Sequence, residues 1–209
     1  MALISNGTTI FDGGAMASGF GGAMTFIKKL TASSSATVDF VHGSSGVILD
    51  STYKEYMFTF KNIHPGTDQK MFQVNFSTDS GSNYNVTKTT THFRAQHLEG
   101  GNSQVYEYVT GDDLAQSTSA QPVSNLCGND NDQCVSGYMF LYDPANTTFV
   151  KHFMSVVNST FTESEASANL HTAGYCNTTS AVNGVRFIFN SGNIDSGDIC
   201  LYGISSVSY

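Results

Sequence analysis

The chain predicts an all-β fold, an antiparallel β-sandwich of jelly-roll type preceded by a Gly-rich N-terminal arm. Three observations predict it. Strands of alternating polarity framed by turns run through YKEYMFTFKNIHPGTDQKMFQVNFSTDSGSNYN from Tyr53 and through NGVRFIFNSGNIDSGDICLYGI from Asn183. Ten to twelve short runs of this kind follow one another with Gly, Asn, Asp and Ser turn signals between them. No segment carries a convincing amphipathic helical period. Period-two patterning places one side of a strand in a core and the other in water. Regularly spaced short strands are the signature of two packed sheets.

Taken in order, residues 1–23 form the arm, since FDGGAMASGFGGAM is rich in Gly and Ala without a steady period. Residues 24–209 form a single domain of ordinary size for one sandwich. Its strands are expected in MTFIKKL from Met24, SATVDFV from Ser35 and GVILD from Gly46. Next comes the aromatic pair, in which Tyr56, Phe58 and Phe60 share one face, and Phe72, Val74 and Phe76 another. Glu55, Thr59 and Lys61 turn the opposite way. Later strands fall in TKTTTHFRA, QVYEYV, VSGYMFLYD, TFVKHFMSVV, HTAGYCNT, VRFIFN and DICLYGI. TESEASANL from Thr162 has room for at most a turn or two of helix. The polar stretch from Gly111 to Gln133 reads as the largest surface loop.

Composition narrows the function. Charged residues make up only 12% of the chain, about half the usual share. Short neutral side chains replace them, and such a surface loses little rotamer entropy when covered. The net charge of -8, with basic residues scattered, gives nucleic-acid binding little electrostatic basis. No apolar run approaches a membrane span. MALISNGTTIFDGG lacks the basic and apolar regions of a signal peptide, so folding in the cytosol is expected. In that compartment Cys127, Cys134, Cys176 and Cys200 are expected as reduced thiols, with Cys176 and Cys200 filling the core. A staple between Cys127 and Cys134 across GNDNDQ is the alternative. The Asn-x-Ser/Thr triplets at Asn6, Asn75, Asn85, Asn146, Asn158 and Asn177 matter only on a secretory route.

No catalytic, cofactor-binding or metal-binding residue is assigned. His92 and His97 are five apart, on opposite faces of one strand; His42, His64, His152 and His171 stand apart from them. Asp112–Asp113, Glu163–Glu165 and Asp130–Asp132 read as solvated loop charges. GNDND offers hard oxygen donors for calcium but lacks the spacing of a calcium loop. Phosphate-loop, nucleophile-elbow and zinc motifs are missing. Tyr106 and Tyr108 share a face, as do Tyr138, Phe140 and Tyr142. Exposed, they would make a sugar-stacking platform, but core packing is the favoured reading.

STYKEYMFTFKNIHPGTD, FSTDSGSNYN, the opening MALISNGTTIFDGG and the closing GVRFIFNSGNIDSGDICLYGI resemble segments of poorly characterised structural virion proteins of marine tailed bacteriophages and prophages. The resemblance runs through scattered motifs over nearly the whole chain, and LYGI preceded by SGNIDSG is the most specific. It implies a virion component without enzymatic activity. Capsid decoration, or cement, is the first form, stabilising the head through contacts with the major capsid protein or other virion proteins, as a homo-oligomer and favourably a trimer. A tail-fibre or host-recognition module binding cell-surface glycans is the alternative. The lack of a helical or fibrous shaft favours decoration.

Overall fold

In β-strands such as Glu55–Pro65, Lys151–Phe161 and Ala166–Cys176 alternate residues are buried, and this alternation builds the core. In Glu55–Pro65, Tyr56, Phe58, Phe60 and Ile63 are buried while Glu55 and Lys61 are exposed. In Lys70–Ser77, Phe72, Val74 and Phe76 are fully buried. The computed structural model describes residues 2–12, 15–16, 23–101, 103–162 and 165–205, and among them there are strands, turns and loops but no α-helix.

The strands are β1 Leu3–Ser5, β2 Thr8–Asp12, β3 Ala15–Met16, β4 Met24–Ser35 and β5 Val38–Val41. They continue with β6 Glu55–Pro65, β7 Lys70–Ser77, β8 Lys88–Leu98, β9 Gln104–Tyr108 and β10 Gln121–Cys127. The last are β11 Val135–Tyr142, β12 Lys151–Phe161, β13 Ala166–Cys176, β14 Gly184–Phe189 and β15 Ile194–Ile204. β1, β2 and β3 make a small antiparallel sheet of their own. The other twelve form one antiparallel sheet that folds over on itself.

One layer runs β4-β15-β6-β11-β12-β13-β8-β9 and the other β10-β7-β14-β5. They join where Cys127 of β10 pairs with Phe161 at the end of β12. Only residues 36 and 37 separate β4 from β5, so the ring of strands is nearly closed. The core lies between the layers. Phe58 and Phe60 of β6 meet Phe187 of β14, with ring centroids 5.3 and 5.2 Å apart, and Phe60 meets Phe72 of β7 at 5.3 Å. Those strands are not neighbours in the sheet, so the rings interlock across it in the edge-to-face manner that aromatic quadrupoles favour.

Three expectations are corrected. The stretch 111–133 is not one loop, because β10 crosses it as a buried strand whose Gln121, Ser124 and Asn125 are inside. Gln121 and Ser124 are accommodated by internal bonds, such as Ser124 Oγ accepting from Phe72 N at 2.8 Å. Ala166–Leu170, within the suggested helical turn, is the first half of β13, paired along its length with β8 and β12. Val47 and Leu49 are buried, but the segment adopts no strand. The arm segment lies partly in the β1–β3 sheet, and residues 1, 13, 14 and 17–22 fall outside the described residues.

Candidate functional site

The large layer has two faces, and the outward one is unusually apolar. On β11, Val135, Met139 and Leu141 are fully buried in the core. The opposite parity, Tyr138, Phe140 and Tyr142, therefore points away from it. Tyr138 is 40% exposed, which overturns core packing for this trio. Tyr106 at 79% and Tyr108 at 49% are outside as well.

Strand register aligns these side chains into rows. Phe140 lies opposite Met57 on β6 and Met154 on β12; Met57 lies opposite Tyr202 on β15, and Tyr202 opposite Phe26 on β4. Phe26, Tyr202, Met57, Phe140 and Met154 thus form an apolar line across five strands. Phe26 and Met154 are each more than half exposed. A second line joins Tyr138, Val156, His171, Phe93 and Tyr108. His171 stacks on Phe93 with planes 1° apart and centroids 4.9 Å apart, and Tyr106 closes on Phe93 at 6.2 Å. Tyr138, Phe140 and Tyr142 are in ring contact along β11. A contiguous aromatic face of this kind on a folded domain marks a contact surface.

Among the described residues no three His, Cys, Asp or Glu side chains converge as a metal site. His92 is buried and His97 exposed, on opposite faces as the spacing requires. His42 accepts from Leu49 N at 3.1 Å. His64 Nε2 lies 3.2 Å from the Asp130 carbonyl of the GNDND turn, with Asp195 3.8 Å from its Nδ1. Asp130 and Asp132 are exposed. Asp113 accepts from the Tyr108 hydroxyl at 2.6 Å, which raises that phenol's pKa, while burial raises the neighbouring Asp112 carboxyl. Glu163 lies outside the described residues.

All four cysteines are free thiols. Cys127 and Cys176 are fully buried, and desolvation pushes both thiols up to about 12. Cys200 departs from expectation. It is only half-buried, because it pairs with Thr59 on the parity of β15 and β6 that turns away from the core.

A second feature escaped sequence reading altogether. Lys151, Cys176 and Lys88 stand opposite one another on β12, β13 and β8, all with no exposed surface. Lys88 Nζ donates to Asn75 Oδ1 and to the Val86 carbonyl, each at 2.7 Å. Lys151 Nζ donates to the Phe149 and Thr178 carbonyls at 3.0 and 3.2 Å. Neither bond set includes a carboxylate. The same end of the interior holds His92, whose Nδ1 is 2.8 Å from Thr172 Oγ1, and Thr90, bonded to Gln121 Oε1 at 2.5 Å. The alternation through KTTTHFRA did mark these positions as facing one side, but their polarity concealed that this side is the interior.

No family model, curated protein or solved structure matches the chain.

Proposed function

We propose that the protein is a structural virion component, a capsid decoration or cement protein that works by adhesion and not by catalysis. The observation that carries the adhesive part is the aromatic outer face of the large layer, centred on Phe140 and Met154. Covering it removes apolar area from water at about 25 cal/mol per Å², and the neutral Ser, Thr and Asn surroundings add little ordering cost. The virion setting is supported by the resemblance carried by the opening, the Ser51–Asn85 segment and the closing LYGI motif. Many equivalent weak contacts on a shell then sum to a firm attachment. The capsid protein or another virion protein is the partner, with a trimer of this chain as the favoured closed form.

One observation favours the tail-fibre alternative. The Phe93–His171 stack with exposed Tyr106 and Tyr108 beside it is a flat aromatic surface of the sort that sugar rings stack on.

Quantitative mass spectrometry of purified particles tests the assignment. Decoration requires hundreds of copies per particle, a fibre or receptor module only a few, and absence from particles ends both. Removing residues 1–20 should leave the sandwich folded and weaken its attachment.

A further inference from the structure

Lys88 and Asn75 meet beside the aromatic core, among the carbonyls of Tyr84, Val86 and Thr118. Asn75 sits on β7 in the small layer and Lys88 on β8 in the large one, so their contact bridges the two layers. Which way the Asn75 amide points is fixed by its surroundings. Its Nδ2 faces two carbonyls, Tyr84 O at 2.7 Å and Thr118 O at 3.1 Å, and only an NH2 group can donate to both. Oδ1 therefore faces Lys88 Nζ at 2.7 Å and also accepts from the Phe76 N–H at 2.9 Å. Lys88 is wholly buried and Asn75 is 7% exposed, so bulk water is kept from the pair.

This arrangement resembles the ground state of an acyl transfer. The carbonyl carbon lies one C=O bond, about 1.2 Å, behind Oδ1, so Nζ is within about 4 Å of it. A small torsional shift brings it to the roughly 3–3.5 Å of a reactive approach. The Phe76 N–H polarises the carbonyl and remains in place for the oxygen that becomes negative. Burial alone lowers the Lys88 pKa to about 8, making the free amine accessible just above neutrality. A buried ammonium with only neutral acceptors is costly, and acylation removes that charge.

We propose that Lys88 and Asn75 form an intramolecular isopeptide bond that covalently joins the two layers. The neutral Nζ attacks Cγ of Asn75, and a tetrahedral adduct forms with its oxygen held by the Phe76 N–H. The C–Nδ2 bond then breaks. Nδ2 takes one proton from Nζ and leaves as ammonia, while Nζ keeps its other hydrogen as the new amide N–H. Lysine amine and asparagine amide give a secondary amide and ammonia, so atoms and charge balance with no oxidant. Among the described residues no carboxyl group bonds Lys88 to relay the proton; it passes between the two nitrogens within the adduct, making the reaction slow and favoured by pH above the amine's pKa.

Trypsin digestion with mass spectrometry of the purified full chain decides it. In an unmodified chain trypsin cuts after Lys70 and Lys88, releasing residues 71–88. An acylated Lys88 resists cleavage, so residues 71–94 appear as one looped peptide lighter by one ammonia. The looped species should accumulate when the folded protein is held above pH 8, and not when the chain is held unfolded in urea. Lys88→Met and Asn75→Ala should each abolish the mass loss. Cleavage after Lys88 at the full mass, after prolonged incubation above pH 8, overturns the proposal. So does an ammonia loss that persists in Lys88→Met, because that would be cyclisation of an asparagine on its own backbone.

Discussion

Phe60 of β6 and Phe187 of β14 meet edge to face with centroids 5.2 Å apart, although their strands share no hydrogen bond. That contact holds one layer on the other. Phe187 also touches Phe40, Phe58 and Phe72, so it is the hub of the aromatic core.

Truncating the hub should therefore cost more than truncating its edge. Phe187→Ala is expected to lose about 3–5 kcal/mol of unfolding free energy, the range for large aromatic-to-alanine core changes. Phe58→Asp, which puts an unpaired charge at a fully buried position, should prevent folding altogether. Urea denaturation measures the first and soluble yield the second. A Phe58→Asp protein that melts like the parent would refute the two-layer core.

The outer face predicts the opposite pattern. Phe140→Ser with Met154→Ser should change stability by less than about 1–2 kcal/mol, because neither side chain faces the core. The same pair should weaken self-association or particle binding at least tenfold. Sedimentation and particle-binding assays read this out, and unchanged association would mean that contact is made elsewhere.

Acid should act through His92. Its Nδ1 lies 2.8 Å from Thr172 Oγ1, Nε2 has no hydrogen-bond partner among the described residues, and burial lowers the pKa from 6.5 to about 4. Between those values the unfolded chain takes up the proton and the folded one does not. Stability is thus highest above pH 6.5 and falls as the pH drops towards 4, by at most about 3 kcal/mol. Asp112, whose folded pKa is raised, opposes this slightly at the acid end. Melting curves across the range should steepen in this window, and His92→Gln should flatten it.

On the small layer, Arg186 grips Asp39 with two bonds, Nε to Oδ1 at 2.9 Å and Nη2 to Oδ2 at 2.6 Å, and its guanidinium lies 3.9 Å from the Tyr84 ring centre. Asp39 in turn raises the Arg186 pKa. Arg186→Lys keeps the charge but loses the fork and the planar stacking, and should cost about 1 kcal/mol by thermal denaturation.

Close packing also predicts that position 203 accepts only glycine. A Cβ there would run into the Tyr53 ring, which itself packs on buried Tyr56 at 5.7 Å. Gly203→Ala should destabilise by about 1–3 kcal/mol, and an unchanged melting temperature would mean that the ring moves aside freely.

Residue order alone makes legible that the chain is all-β, where most strands run and which side of β6 and β7 is buried. There Tyr56, Phe58, Phe60 and Phe72, Val74, Phe76 alternate with polar residues, and only one side can enter a core. On β11 it did not decide. In Val135–Tyr142 both parities are apolar, so alternation distinguishes two faces without saying which one the second layer covers. Tertiary structure placed Met139 and Leu141 inside and Tyr138, Phe140 and Tyr142 outside. It also buried β10 and the Lys88 end of β8, which local polarity had marked as surface. Whether a polar side chain can be buried depends on partners distant in sequence, and only the folded chain brings Asn75 to Lys88.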